Sequence, residues 1–368
     1  MPHLFRRSTN ETKSIKDNHI GAIDGWRGIA ILFVLVEHAF EASPSPLINH
    51  LTRLGSTGVG LFFALSGFLI TSLLLGEQAK RGHIHLLKFY TRRAFRILPP
   101  VTVYLLVLLC LRHWHYLQVS TFQVTSSFLL FRNYLPLDRG WGWYTMHLWS
   151  LMVEEHFYLF WPLVLRYMKV NVRFLIGFAL MVASWRALSF HFHLLARVWG
   201  PGRTDVRIDA LLWGCILAIV FAHPQWRIKL QRMLSGKVML CLLALEILPT
   251  FERGPHYYSF YEPIVLSLLL VWPILHAKSM LRIILDSPVL VSLGKISYSL
   301  YLWQGFWLLF SATPKPFPRL QSFPANIILA LLCAIASFYL VEQPFIKLGR
   351  LAGDTVAPRR TPPVTAGA

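Results

Sequence analysis

Apolar residues gather into ten runs along the chain, near residues 22–41, 57–76, 98–111, 147–165, 174–192, 208–222, 238–250, 259–276, 295–311 and 323–341. Charged residues fall mostly between them. Several runs are shorter than the ~20 residues that cross a ~30 Å hydrocarbon core. Their ends must therefore extend into flanking aromatic or polar residues. The pattern predicts an all-α polytopic membrane protein with about ten transmembrane helices. Two stretches fit less simply. TFQVTSSFLLF (121–131) is too short and too polar to cross, and reads as a surface or re-entrant element on the outer side. The first run carries Asp24, Arg27, Glu37 and His38, and no clean small-residue cleavage site follows it. It reads as an uncleaved first crossing rather than a signal peptide.

Composition agrees with the pattern. The chain is 55% hydrophobic and 14% charged, with mean hydropathy +0.50, where a soluble domain carries roughly a quarter charged residues. This excludes a disordered chain, a disulfide scaffold and an ordinary water-soluble enzyme. The net charge of +19 would suggest nucleic acid in a soluble protein, but its distribution points to membrane orientation. Ten crossings put both termini on one side. The loops of that side hold 24 of the 36 Lys and Arg residues, the alternate loops hold ten, and Arg27 and Arg186 lie inside runs. The positive-inside rule then places both termini in the cytoplasm of a multi-pass inner (plasma) membrane protein. Nucleic acid is unnecessary. Cys110, Cys215, Cys241 and Cys333 lie in apolar runs without zinc or CxxC spacing, and read as buried thiols. No metal is expected. The expected layout is a cytoplasmic segment (1–19), a membrane domain (20–348) and a tail (349–368), disordered from Leu351 by its prolines and small polar residues.

Ionisable groups inside a membrane are costly, so each is a functional candidate. On the first helix Arg27 and His38 lie about 20° apart and roughly 16 Å apart along the axis, with Asp24 about 40° to the other side of His38. His38 suits a general base, because a neutral imidazole accepts a proton from an alcohol near physiological pH. The plainer alternative is a packed polar histidine with Arg27 as a snorkelling anchor. Gly58, Gly60 and Gly67 beside Ser66 suggest close helix packing. Ser66 lacks the Gly-x-Ser-x-Gly setting of a nucleophile. KFYTRRAFRILPP (88–100) reads as a cytoplasmic loop, with Pro99 at the start of the next crossing and with Arg92 and Arg96, at i and i+4, sharing a face where it is helical. Its Arg92, Arg93 and Arg96 meet either anionic lipid headgroups or a phosphate-bearing donor. In MHLWSLMVEEHFYLFWP (146–162), the spacing places His147, Glu154, Tyr158 and Trp161 on one face. Glu154 and Glu155 are adjacent and cannot both point along it. RIDALLWG (207–214), GKISYSLYLWQG (294–305) and VEQPF (341–345) add further polar groups to apolar segments.

The Arg27-x10-His38 pair, FFALSGF, RRAFRILP, WSLMVEEHFYLFWP, RIDALLWG, SYSLYLW and VEQPF occur in this order over about residues 20–348. In motif and order the chain resembles the acyltransferase-3 family of integral membrane proteins. The resemblance implies transfer of an acyl group, most often acetyl from cytoplasmic acetyl-CoA, to hydroxyls of sugars, polysaccharides, lipopolysaccharide or glycolipids. It implies Arg27 and His38 as the first-helix pair with His38 as base. Arg92, Arg93 and Arg96 would meet the donor's phosphates, and Glu154 or Glu155 would orient the base or the acceptor. Many relatives carry histidine where this chain has Gln304, so that position is not expected to take part in transfer. A fused hydrolase-like domain, present in some relatives, is not expected here. Two other classes compete: a proton-coupled transporter using the same acids and histidine, and a nonenzymatic scaffold. No internal repeat supports the first. The second gives no reason for buried Arg, His and Glu.

Overall fold

The computed structural model describes residues 8–40, 45–135, 142–192, 194, 202–248, 260–308 and 315–356, and of residues 8–20 only the backbone. Among these residues every regular element is helical. The first half of the chain runs α1 (Ser8–Phe40), α2 (Pro46–Thr52), α3 (Leu54–Arg81), α4 (Leu86–His113), α5 (Thr121–Phe128), α6 (Trp143–Met146), α7 (Trp149–Tyr167) and α8 (Val172–His191). It continues with α9 (Ile208–Ala222), α10 (Pro224–Met233), α11 (Gly236–Ile247) and α12 (Glu262–Leu275). The last are α13 (Met280–Leu285), α14 (Pro288–Trp307), α15 (Ala325–Ser337) and α16 (Gln343–Val356), with a π-helical turn over Phe338–Glu342 joining α15 to α16. The described part of each of the ten apolar runs is mostly helical. Among the described residues, four helical stretches are long and apolar enough to cross a bilayer alone, namely Leu47–Arg81, Leu86–His113, Val172–His191 and Ala325–Val356. A fifth counts if α9 and α10, bent by 114°, form one broken span. This is a membrane protein built of helices.

The centre is formed by α1, α3, α9 and α14. Helix α9 is apolar all round, which suits a helix enclosed by others. Close approach to α3 needs glycine. A β-carbon at Gly67 would run into the Leu211 carbonyl, and one at Gly214 into the Ala64 carbonyl. The packing reading of the glycines beside Ser66 therefore holds. Helices α3 and α9 run parallel, because Arg207 lies over the Phe63 ring, Gly67 meets Leu211, and Thr71 meets Cys215 as both chains advance. Helices α1 and α14 also run parallel: Gly294 abuts the Asp24 carbonyl, while Ile31 and Leu35 share a cluster with Leu300 and Leu308. Peripheral helices expose large apolar side chains, among them Phe174, Met181 and Leu188 on α8 and Leu332 and Ile335 on α15. Such a belt suits lipid and not water.

Four expectations are corrected. The stretch 88–100 is not a loop, because α4 runs unbroken from Leu86 with Pro99 and Pro100 inside it. The prolines remove the N–H groups that would bond the Phe95 and Arg96 carbonyls. The Tyr298 hydroxyl donates to the Ile97 carbonyl at 2.8 Å and Thr102 Oγ1 to Leu98 at 2.8 Å, which holds this part of the helix in place. Order also continues past Leu351, since α16 reaches Val356 by packing on α4. His147 is not on the helix that carries Glu154. It caps the short α6 ahead of α7. Of the four thiols only Cys215 is buried, whereas Cys110 and Cys241 are exposed on outward faces of α4 and α11 and Cys333 is half-buried. A thiol is apolar enough for either setting. The 121–131 patch begins as the short helix α5, with Ser120 accepting from Gln123 N and Gln123 reciprocating at its start.

Candidate active site

A pocket of about 130 Å3 opens between α1, α3, α4, α7 and α14. Arg27 reaches it from α1, Arg93 and Arg96 from α4, and Glu154 and Tyr158 from α7. Ser66, Ser150, Ser297, Tyr298 and Tyr301 supply hydroxyls, and Phe62, Leu65 and Leu151 apolar wall. Three guanidinium groups therefore converge on one lumen. Asp24 is the ion-pair partner of Arg27 at 3.8 Å and lies in the field of Lys295 and Arg96. Arg93 and Arg96 make neither a salt bridge nor a hydrogen bond among the described residues. The Arg93 guanidinium instead lies 4.1 Å from the centroid of the Tyr158 ring, a stacking that leaves its N–H fork available.

Glu154 is the acid that faces the pocket. The Tyr158 hydroxyl, one turn on, donates to its Oε2 at 2.7 Å, and Ser66 lines the pocket beside them. The charges of Arg93 and Arg27 reach it. Glu155, turned to the next face of α7, is half-buried and outside the pocket lining, in the field of Arg93 and Arg96. Glu342 is backed in the same way by Ser299 Oγ at 2.8 Å and by the fields of Arg96 and Arg27. The far end of the pocket is polar. Ser150 Oγ and the Tyr301 hydroxyl are 2.7 Å apart, and Tyr301 donates to the His147 carbonyl. The His147 ring sits 5.6 Å from those of Tyr104 and Tyr301, against Gly305.

His38 does not line the pocket. It lies beyond this end, within electrostatic range of His147. Its Nδ1–H donates to the Val34 carbonyl at 2.8 Å. Since a carbonyl only accepts, Nδ1 carries a proton. Arg92 is turned away and pairs with Asp354 at 2.9 Å. The pocket thus brings together Arg27, Arg93, Arg96 and Glu154 from the expected set, while His38, Glu155 and Arg92 are not part of its lining. Ser150 and Tyr298 are lining residues that sequence reasoning missed. For Ser297 and Tyr301 the one-turn spacing in KISYSLYLW was the available signal. Gln304 is fully buried and outside the lining. Among the described residues no group of three or more His, Cys, Asp or Glu could hold a metal ion.

Residues 20–342 match the family model described as an acyltransferase domain. The chain belongs to the acyltransferase-3 family. A protein of Staphylococcus aureus (strain COL), whose name marks it as an inferred O-acetyltransferase, is 30% identical over 366 residues, covering 92% of this chain and 59% of its own length. The peptidoglycan O-acetyltransferase OatA of Listeria monocytogenes is 28% identical over 359 residues, 89% of this chain and 54% of its own. The O-acetyltransferase OatA of Staphylococcus aureus (strain NCTC 8325) is 27% identical over 369 residues, 92% and 59% respectively. This chain therefore spans somewhat over half the length of these family relatives. No solved structure matches it.

Proposed function

We propose that the chain is a membrane O-acyltransferase that moves an acetyl or other short acyl group from cytoplasmic acyl-CoA to a hydroxyl of a cell-envelope carbohydrate. The observation that carries this reading is the convergence of Arg27, Arg93 and Arg96 on a pocket that also holds a carboxylate and several hydroxyls. Guanidinium forks match phosphate oxygens bidentately, and Arg93 and Arg96 have no competing acid paired with them. The carbohydrate acceptor is supported by the name of the Listeria relative, which acts on peptidoglycan. Family membership weighs against the transporter reading.

In this reading the donor's phosphates rest on Arg93 and Arg96, and its acyl arm extends along the pocket toward Ser150 and Tyr301. Glu154, held by Tyr158, fixes Arg27 and Arg93 electrostatically. His38 acts beyond the polar end. Its Nε2 takes the acceptor's proton as the alcohol oxygen attacks the thioester carbonyl, the carbon–sulfur bond breaks, and the thiolate leaves to be reprotonated. A covalent route has His38 taking the acyl group first and passing it on. The two routes differ in one observable: only the second leaves labelled acyl group on the protein when acceptor is withheld.

Substituting the arginines separately tests the donor site. Arg93→Ala or Arg96→Ala should raise the acyl-CoA KM about 10- to 100-fold, as each removes charge-assisted contacts worth roughly 1.5–3 kcal/mol. Arg92→Ala should change it far less. Equal effects at all three positions would return the cluster to a lipid-anchoring role.

Orientation belongs to the same proposal: ten crossings, both termini cytoplasmic, the donor side facing in. The parallel packing of α1 with α14 and of α3 with α9 supports it, because an alternating order sends the first and ninth runs one way and the second and sixth the other. Labelling of single cysteines in a cysteine-free background should mark residues 82–85 from inside and residues 202–205 from outside. Labelling of both from one side would break the scheme.

A further inference from the structure

Helix α4 carries its cations on two faces. At 100° per residue, Lys88, Arg92 and Phe95 fall within about 60° of one another, while Arg93 and Arg96 occupy the neighbouring face that lines the pocket. The first face is covered by α16. Gly349 and Gly353 lie one turn apart where the two helices touch: a β-carbon at Gly349 would meet the Phe95 side chain, and one at Gly353 the Arg92 side chain. Phe345 adds a ring contact to Phe95, centroids 6.4 Å apart. At the end of this seam Asp354 Oδ1 accepts from Lys88 Nζ at 2.6 Å and from Arg92 Nη2 at 2.9 Å. The Lys88 side chain is only 7% exposed. An exposed ion pair contributes little. A buried ammonium stripped of its acid is strongly destabilised. Among the described residues no other carboxylate pairs with Lys88 or Arg92. Residue 342 ends the family match, so the α16 side of this seam lies outside it.

We propose that Asp354 is a positioning residue: by clasping α16 to Lys88 and Arg92 it fixes the rotation of α4 that aims Arg93 and Arg96 at the donor's phosphates. The inference rests on the acyl-CoA reading of the pocket. Rotation is the weak coordinate of this helix, because Pro99 and Pro100 remove two of its hydrogen bonds just after Arg96. The clasp grips the other side of the same two turns. It also keeps Arg92 occupied, so that two arginines of the three meet the donor.

The test compares two donors in the full chain reconstituted with lipid: acetyl-CoA, and S-acetyl-pantetheine, which has the same thioester arm without the nucleotide phosphates. Wild type should favour acetyl-CoA strongly in KM. Asp354→Ala should raise the acetyl-CoA KM about tenfold, the loss of roughly one well-aligned charged contact, with the S-acetyl-pantetheine KM and both kcat values within about twofold. Asp354→Glu should restore most of the difference. If Asp354→Ala does not fold, Asp354→Asn combined with Lys88→Met removes the buried charge together with its partner and should show the same donor-selective change. An unchanged acetyl-CoA KM in the folded variant, or an equal rise for both donors, overturns the clasp while leaving the donor site standing. A wild type that does not distinguish the two donors overturns the donor reading, and the clasp with it.

Discussion

Replacing His38 by alanine should lower turnover about 10²- to 10⁴-fold while leaving the acyl-CoA KM nearly unchanged, the signature of a lost general base. An acceptor hydroxyl attacks a thioester slowly until its proton is taken. In the proposed reading His38 takes it, its ring oriented by the bond from Nδ1–H to the Val34 carbonyl. Its distance from the arginines makes the prediction selective. Arg27 lies eleven residues away, about 16 Å along the helix, so removing the imidazole leaves the phosphate-binding end untouched. Steady-state kinetics with varied donor at saturating acceptor would separate the two parameters. Wild-type turnover in His38→Ala would sink both the direct and the covalent route. His147, which packs at the polar end of the pocket, would then become the better base.

The second large effect is on stability. Arg186 on α8 and Asp209 on α9 pair at 2.6 Å with side chains 2% and 0% exposed, and Arg186 also donates to the Val206 carbonyl at 3.0 Å. Asp209→Ala leaves a guanidinium buried without its acid, and should destabilise the fold by about 3–5 kcal/mol. The double variant Arg186→Met with Asp209→Leu should recover most of that loss, since a well-packed apolar pair is often neutral or better than a buried ion pair. Thermal unfolding of the detergent-solubilised protein would rank the three. A single variant as stable as wild type would show that water or lipid headgroups already solvate Arg186.

How far the sequence reaches can be judged residue by residue. In their described residues the ten apolar runs are mostly helical, because burying a run of apolar side chains in lipid leaves the backbone no partner but itself. Glu154 and Tyr158 meet because i and i+4 are neighbours on any helix, and Asp24 meets Arg27 for the same local reason. The packing role of Gly67 was legible too, since only a missing side chain lets two backbones touch. Each of these depends on separations of a few residues along one element.

What tertiary structure alone decided was which faces look at one another. Arg92 and Arg93 are adjacent in sequence and chemically equal. Only the seating of α16, more than 250 residues on, sends one to Asp354 and the other to the pocket. Ser150 and Tyr298 became lining residues because α7 and α14 happen to close the same lumen, which no spacing within either helix encodes. The stretch before Pro99 reads as a loop because its charged residues lie between two apolar runs, whereas contacts with Tyr298 and the α16 seam make it part of α4. Periodicity fixes the faces of a helix. The choice of partner for each face depends on contacts between residues far apart in sequence, and that is a property of the assembled bundle.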